Sequence, residues 1–386
     1  MIMNQEQRVF RLGPIRPPSE ANSLLLQVTS GCTWNKCKFC QLYKDRPFRA
    51  FSVESIKEDI DTMAYYGEIA RRYLSTGMSF RSYDSFEECK TMTHEELNCF
   101  YLVYNWLSHG GQNVFLQDGN SLALKSERLE EVLLYLKKTF PQVKRVTSYA
   151  RAETLYRITE EQYLSLKNAG LDRIHSGYES GSDSVLEWIN KGVTSRQQIE
   201  AGQKVKSAGI QLSLYFMPGV GGKALSKDNA IGTAEVIRQI NPDFIRIRTA
   251  VITRGSELWE EYINGEFTLC GDDDKIQELR YIIDNTQRCS GELVCGDHIL
   301  NLLPQVNGVL NNDGERMIGL IDEYLCMELN QRRIYQYLRR MGRVSCPSEM
   351  SLVSPKEMVE AKEVCSSFDT QEAWDEQINQ WMHRFI

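Results

Sequence analysis

No run of apolar residues in this 386-residue chain approaches the ~20 needed to cross a bilayer; stretches such as 23–28 and 250–252 are far shorter. The opening MIMNQEQRVFRLGPIRPP has no apolar core between a basic start and a small-residue cleavage site. No secretory leader is therefore expected, and a cytoplasmic location with no membrane partner follows. A basic surplus is missing too: 45 Lys and Arg stand against 52 Asp and Glu, a formal charge of −7. Proteins that grip nucleic acid displace counterions with such a surplus, so nucleic acid is not the expected partner. The local basic group Arg332, Arg333, Arg339, Arg340 and Arg343 reads as the solvated face of a helix. Eleven cysteines, an odd number, argue against a disulfide framework, because cytosolic thiols stay reduced. No internal repeat or low-complexity segment is visible.

What is present is a strand followed by a helix, several times over. Short β-rich runs fall at residues 23–30, 113–117, 145–149, 173–177, 211–216 and 244–252. Helical periodicity follows at 126–139, 159–169, 182–190 and 195–208. Thr159 with Gln162 and Thr194 with Gln197 read as capping boxes, and Gly170 and Gly209 as left-handed C-terminal caps. Alternation of this kind predicts parallel strands with right-handed crossovers: an α/β fold, either an open sheet or a partial (β/α)6 TIM-like barrel. In both, chemistry gathers at the C-terminal strand ends. Residues 1–20 read as an N-terminal extension, 21–255 as the core with an insertion at about 68–93, and 256–386 as a mostly helical region. Its helices are expected at 274–286, 313–340, 354–368 and 371–384, with no strands after residue 255.

Beyond the first strand stands C-x4-C-x2-C: Cys32, Cys37 and Cys40. Three thiolates on an irregular loop can converge on one compact metal centre. Four would make a closed structural or electron-transfer site, whereas three leave one metal position open. The competing reading is a zinc site completed by Cys89, Cys99 or His94, in a non-catalytic interaction protein. Cys270, Cys289, Cys295, Cys326 and Cys346 form no tight spacing and read as isolated or buried thiols rather than an auxiliary cluster.

Residues 23–48 (SLLLQVTSGCTWNKCKFCQLYKDRPF) resemble the cluster loop of radical S-adenosylmethionine (SAM) enzymes. They are most similar to an anaerobic branch with Asn-Lys before the second cysteine and Tyr-Lys after the third. The commonest superfamily spacing is C-x3-C-x2-C, so this chain has one residue more. The resemblance extends over about residues 14–255 and, more weakly, over 256–325. It implies a [4Fe–4S] cluster on Cys32, Cys37 and Cys40 and SAM as cofactor, with Phe39 beside the adenine. It further implies that Asp118, Gly119 and Asn120 form the turn at the methionine amino group. Glu179 and Ser180 fall at the ribose-binding element, and Gly219 and Val220 where backbone passes the adenine. The implied activity is reductive cleavage of SAM to methionine and a 5′-deoxyadenosyl radical that abstracts hydrogen from a substrate, expected to be a small molecule. Electrons would come from a low-potential donor such as flavodoxin or ferredoxin.

Arg246 and Arg248 share one face of the sixth strand. Buried arginines need an anion, and both are assigned to cofactor binding, at the methionine carboxylate of SAM; an acidic substrate or a structural ion pair would serve as well. Arg151, His298 and Asn301 are the candidates for the substrate pocket. Gly177 to Gly181 lacks the G-x-S-x-G order of a hydrolase elbow, and Gly219 to Lys223 lacks the Walker spacing. No N-terminal cobalamin-binding domain is expected, because the strand–helix core begins so early. A peptide or RNA substrate is the alternative within the same chemistry.

Overall fold

The computed structural model describes residues 8–76 and 86–385. Parts of two expected segments, residues 1–7 of the extension and 77–85 of the insertion, lie outside the described residues. The described residues form ten strands: β1 Leu24–Gln27, β2 Thr29–Ser30, β3 Arg49–Ala50, β4 Asn113–Gln117, β5 Arg145–Tyr149, β6 Leu171–Glu179, β7 Gln211–Phe216, β8 Phe244–Ile247, β9 Glu292–Val294 and β10 Gly308–Val309. The main sheet has the order β1-β4-β5-β6-β7-β8-β9-β10, and β2 pairs with β3 apart from it. Parallel ladders join β1, β4, β5 and β6, and again β7, β8 and β9. Strands following one another in chain order, with helices between most of them, make an α/β fold with a mostly parallel sheet, the class expected from the sequence.

The chain divides into two compact units. One comprises Met1–Thr33, Asp45–His175 and Ser207–Ile210; the other comprises Trp34–Lys44, Ser176–Lys206 and Gln211–Ile386. In the first, β1 reads Leu-Leu-Leu-Gln and is buried throughout, as are Val114, Phe115 and Leu116 of β4. Continuous apolar runs of this kind belong to parallel strands covered on both faces. The long first crossover is filled by two helices, Val53–Ser75 and His94–Ser108. Ile56, Ile60 and Met63 recur at helical spacing and are fully buried, each contributing about 1.5–3 kcal/mol. Ser52 caps one helix at the Ser55 N–H, and Thr93 forms a capping box with Glu96 on the other. The expected boxes also form: Gln162 N–H donates to Thr159 and Gln197 N–H to Thr194, each at 3.3 Å. Gly170 and Gly209 take φ of 107° and 73°, conformations that side chains resist.

The second unit corrects three expectations. Strands do not stop after residue 255: β9 adds parallel to β8, and β10 pairs antiparallel with β9. Strands of three and two residues carry too little periodicity to be read locally, and β8 imposes their register. The helix expected at 313–340 is two, Leu310–Leu325 and Leu329–Arg340. Glu328 is extended at the break, and Arg332 Nη1 satisfies the freed carbonyls of Leu325 and Met327. Nor are the arginines of this helix a solvated face. Arg340 and Asp272, both 1% exposed, form a buried ion pair. Arg333 spends all three guanidinium nitrogens on Phe368, Thr370 and Gln371. Arg339 donates to the Ile299 and Asn301 carbonyls. These side chains stitch the helix to its neighbours.

Among the described residues no helix is long and apolar enough to cross a membrane.

Candidate active site

The cysteine loop springs from a narrow base. Thr29 pairs with Ala50 and Ser30 with Arg49, so residues 31–48 leave and return through a two-rung antiparallel ladder. Gly31 begins the loop at φ 85°, where a Cβ would press on the Pro47 carbonyl at 3.1 Å. Cys37 is buried, whereas Cys32 and Cys40 are half-buried. The Cys40 N–H donates to the Cys37 carbonyl at 3.2 Å, closing the C-x2-C segment into a turn. Three soft thiolate donors on one irregular loop are chemically suited to an iron–sulfur centre. Among the described residues no three Cys, His, Asp or Glu side chains already stand as a metal-ligating group.

In the first unit, Asp118 ends β4 at φ 97°, an unusual conformation for a side-chain-bearing residue. Its Oδ2 accepts from the Gly31 N–H at 3.1 Å and from Gln27 Nε2 at 3.0 Å, and its Oδ1 accepts from the Gly119 N–H at 2.8 Å. A fully buried carboxylate thus fixes the backbone directly ahead of Cys32. Asn120 works one residue beyond it. Its amide donates to Thr33 Oγ1 and Thr154 Oγ1, both at 2.8 Å, and its oxygen accepts from the Arg151 N–H. Arg151 itself reaches Thr33 Oγ1 at 3.4 Å and Glu153 at 3.7 Å. The three strand-end residues and Arg151 are therefore brought to the start of the cysteine loop. Two of the three alternative zinc ligands, Cys99 and Cys89, stand in surroundings that disfavour a thiolate. Cys99 Sγ faces the Phe10 carbonyl at 3.8 Å, and burial pushes the Cys89 thiol up to about 11.

In the second unit, the other half of the loop rests on the turn that follows the helix Asp183–Trp188. Trp34 Nε1 donates to the Asn190 carbonyl at 2.7 Å, and the Lys38 N–H donates to the Ile189 carbonyl at 3.0 Å. Gly192, at φ 69°, lies under the Trp34 ring, where a Cβ would come within 2.6 Å of it. The same turn delivers Lys191, whose Nζ binds Glu179 Oε1 at 2.9 Å and lies 5.7 Å from the Phe39 ring centre. Glu179 closes β6 at φ 66°, and its carbonyl accepts from the Met217 N–H at 2.7 Å. Ser180 Oγ accepts from the Ser182 N–H. Phe39, Glu179 and the 217–222 loop are thus linked within this unit.

Gly219, at φ 85°, and the buried Val220 form the turn after β7. Behind them lies Glu278, which accepts from the Gly219 N–H at 3.1 Å, Asn229 Nδ2 at 2.7 Å and Ser226 Oγ at 2.7 Å. Burial pushes this carboxyl up to about 7, against the opposing pull of those donors. Asn229 also donates to the Met217 carbonyl, so the loop is held at both ends.

Arg246 and Arg248 do share a face, and one carboxylate bridges them. Asp297 binds Arg246 Nη1, Arg248 Nη1 at 2.6 Å and Arg248 Nη2 at 3.3 Å. Although half-buried, Asp297 is held below the ordinary carboxylate range by the guanidinium groups of Arg248 and Arg246. Its neighbour His298 is pushed down to about 4, first by burial and then by Arg248, and is neutral at physiological pH. Asn301 serves the backbone: it accepts from the Thr249 N–H and Oγ1 and donates to the Ile247 and Cys295 carbonyls. Cys270, Cys289 and Cys295 are buried, Cys346 is half-buried and Cys326 is exposed.

Sequence reading missed Trp34, Lys191, Glu278 and Asp297. Trp34 had a signal, a large aromatic inside the cysteine spacing, and Lys191 stood in an Asn-Lys-Gly turn. Glu278 and Asp297 had none, since their partners lie far along the chain.

The chain is similar to several known proteins. A tRNA uridine(34) acetyltransferase of Methanocaldococcus jannaschii is 25% identical over 124 residues, 32% of this chain and 23% of that protein. The 4′-phospho-dehydrooxetanocin synthase of Priestia megaterium is 27% identical over 207 residues, 50% of this chain and 23% of that protein. The chain thus spans about a quarter of the length of these curated relatives. Among solved structures, the cobalamin-dependent S-adenosylmethionine radical enzyme OxsB, with aqua-cobalamin and S-adenosylmethionine bound, is 14% identical. That alignment covers 94% of this chain and 58% of the other, with a TM-score of 0.46. The radical SAM superfamily model matches residues 26–227, more than half the chain and all of the cysteine loop. The chain belongs to the radical SAM superfamily of enzymes, whose cofactors are a [4Fe–4S] cluster and S-adenosylmethionine.

Proposed function

We propose that Cys32, Cys37 and Cys40 ligate the cluster, and that the protein cleaves SAM reductively and abstracts hydrogen from a small-molecule substrate. The observation that carries this reading is the grip of Asp118 on the Gly31 N–H. The end of β4 fixes the backbone from which the first cysteine leaves, and three cysteines, rather than four, leave one cluster position for SAM. When bound, the cluster and SAM supply the one-electron cleavage of the sulfonium and the hydrogen-abstracting radical. The chain's own residues bind and orient. Asp118 and Asn120 hold the loop, Gly119 leaves backbone open beside it, and Phe39 packs near Lys191. Glu179, steadied by Lys191, would accept from ribose hydroxyls, and Ser180, Gly219 and Val220 would present backbone to the adenosyl group. A low-potential donor such as flavodoxin or ferredoxin would supply the electron.

A small molecule is favoured over RNA because the arginines of Leu329–Arg340 are consumed by internal contacts and offer no basic face. The test is anaerobic reconstitution. The protein should be brown, hold about four irons per chain, and release 5′-deoxyadenosine with dithionite and SAM. Substituting any of the three cysteines by alanine should abolish both. A colourless protein holding one tightly bound zinc would overturn the reading. Deuterium passing from RNA, rather than from a metabolite, into 5′-deoxyadenosine would overturn the substrate class.

A further inference from the structure

Arg246 is built differently from the arginines that merely tie this unit together. Its side chain is 7% exposed, so its charge is largely removed from water. Nε donates to Ser213 Oγ at 3.0 Å and Nη1 to Asp297, yet Nη2 donates to none of the described residues. That nitrogen is not sealed either. The side chain keeps a small part of its surface exposed, and this nitrogen does not stand with the enclosed, unpartnered Nε atoms of Arg145, Arg339 and Arg340. Arg333, by contrast, uses every nitrogen.

The surroundings hold this fork in place. Arg248, two residues on, lies with its guanidinium 4.8 Å from the Tyr215 ring centre. Asp297 bridges both arginines from a loop that is itself clamped. Arg339 takes the carbonyls of Ile299 and Asn301, Arg340 that of Leu300, and Tyr335 that of Leu302. The helix Leu329–Arg340 thereby secures four consecutive residues just past Asp297. A desolvated guanidinium, fixed on two sides and open on a third, is preorganised for an anionic oxygen. Its place near the C-terminal end of β8 is where substrates of such sheets bind.

We propose that Arg246, with Arg248 beside it, binds an anionic group of the substrate, a carboxylate or a phosphate. The inference rests on the function proposed above and names the class of its substrate: a small anionic metabolite. Ser213 and Asp297 are positioning residues, and the arginines of Leu329–Arg340 preserve the geometry from behind.

The test uses the full-length protein reconstituted anaerobically. Inorganic phosphate and, separately, acetate are titrated by calorimetry at constant ionic strength, and SAM is titrated in parallel. Wild type should bind at least one anion saturably, whichever is tighter naming the group. Arg246→Gln should weaken that binding at least about tenfold, Arg246→Lys should restore part of it, and the SAM dissociation constant should stay within about twofold. Ser213→Ala, a milder change that frees Arg246 Nε, should weaken anion binding about threefold, which keeps the test valid if Arg246→Gln misfolds. Absence of saturable anion binding in wild type overturns the inference. So does an Arg246→Gln variant that loses SAM rather than the anion, which would give the arginine to the methionine carboxylate. A protein that binds neither iron nor SAM sinks the proposed function instead, and the anion titration distinguishes the two failures.

Discussion

The two units hold their candidate residues by different physical means. In the first, Asp118 and Asn120 fix the cysteine loop through backbone N–H groups, hydroxyls and a glutamine amide. In the second, charges meet charges: Lys191 with Glu179, Arg246 and Arg248 with Asp297, Arg340 with Asp272. Hydrogen bonds to a backbone set the path of a short segment. Ion pairs instead join elements distant in sequence, and when buried they are costly to break on one side only. Loss of a contact at the cysteine loop should therefore act locally, and loss of one partner of a buried ion pair globally.

The largest effect is expected at Arg340. Arg340→Met leaves Asp272 buried and unpaired, which should cost about 3–5 kcal/mol in urea unfolding at neutral pH. Adding Asp272→Leu should recover most of that loss, because removing both charges removes the unpaired one. Should the single variant cost no more than a surface substitution, the division between the units collapses.

Next come two buried carboxyls titrating in opposite directions. Glu278, raised from 4.5 to about 7, favours the folded state fully below the unfolded value. That contribution is lost as pH rises from about 4.5 through 7. The total is on the order of 3 kcal/mol. Glu20 is the reverse case. Burial would raise it, but His175, Ser23 and then Arg145 pull it down to about 2. Its contribution is present above 4.5 and is lost as pH falls towards 2. Unfolding midpoints at pH 5, 6, 7 and 8 should therefore fall in wild type. In Glu278→Gln, which mimics the protonated form, they should stay flat. An equal slope in both proteins would remove Glu278 as the cause.

What the sequence disclosed follows the same line. The strands β1, β2, β4, β5, β6, β7 and β8, the capping boxes at Thr159 and Thr194, and the glycine caps at Gly170 and Gly209 are written in residues adjacent to one another, whereas β3 is not. So is the cysteine spacing. β9 and β10 were hidden because their pairing is dictated by β8, tens of residues earlier. The break at Glu328 carries no glycine or proline, and only Arg332 folding back on Leu325 and Met327 makes it stable. Arg332, Arg333, Arg339 and Arg340 form a basic run in the sequence, yet their partners Asp273, Phe368, Ile299 and Asp272 lie tens of residues away, and among the five arginines it is Arg343 that stays mostly exposed. The motif residues were legible, but the carboxylates and ammonium that hold them were not.

The smallest effect on stability separates the units most sharply. Asp118→Asn keeps the shape, but one of its two oxygens becomes an amide. If the remaining oxygen serves Gly31 and Gln27, the amide faces the Gly119 N–H, and one buried bond is lost at about 1–3 kcal/mol. The loop ahead of Cys32 is then less firmly set, and iron retained after anaerobic reconstitution should drop. Lys191→Met provides the contrast. It removes the partner of Glu179 without touching the contacts of Trp34 and Lys38 with the same turn, which run through backbone carbonyls. Its iron content should match wild type while SAM binding weakens. Iron lost from Lys191→Met and kept by Asp118→Asn would mean that the loop is held from the second unit, not the first.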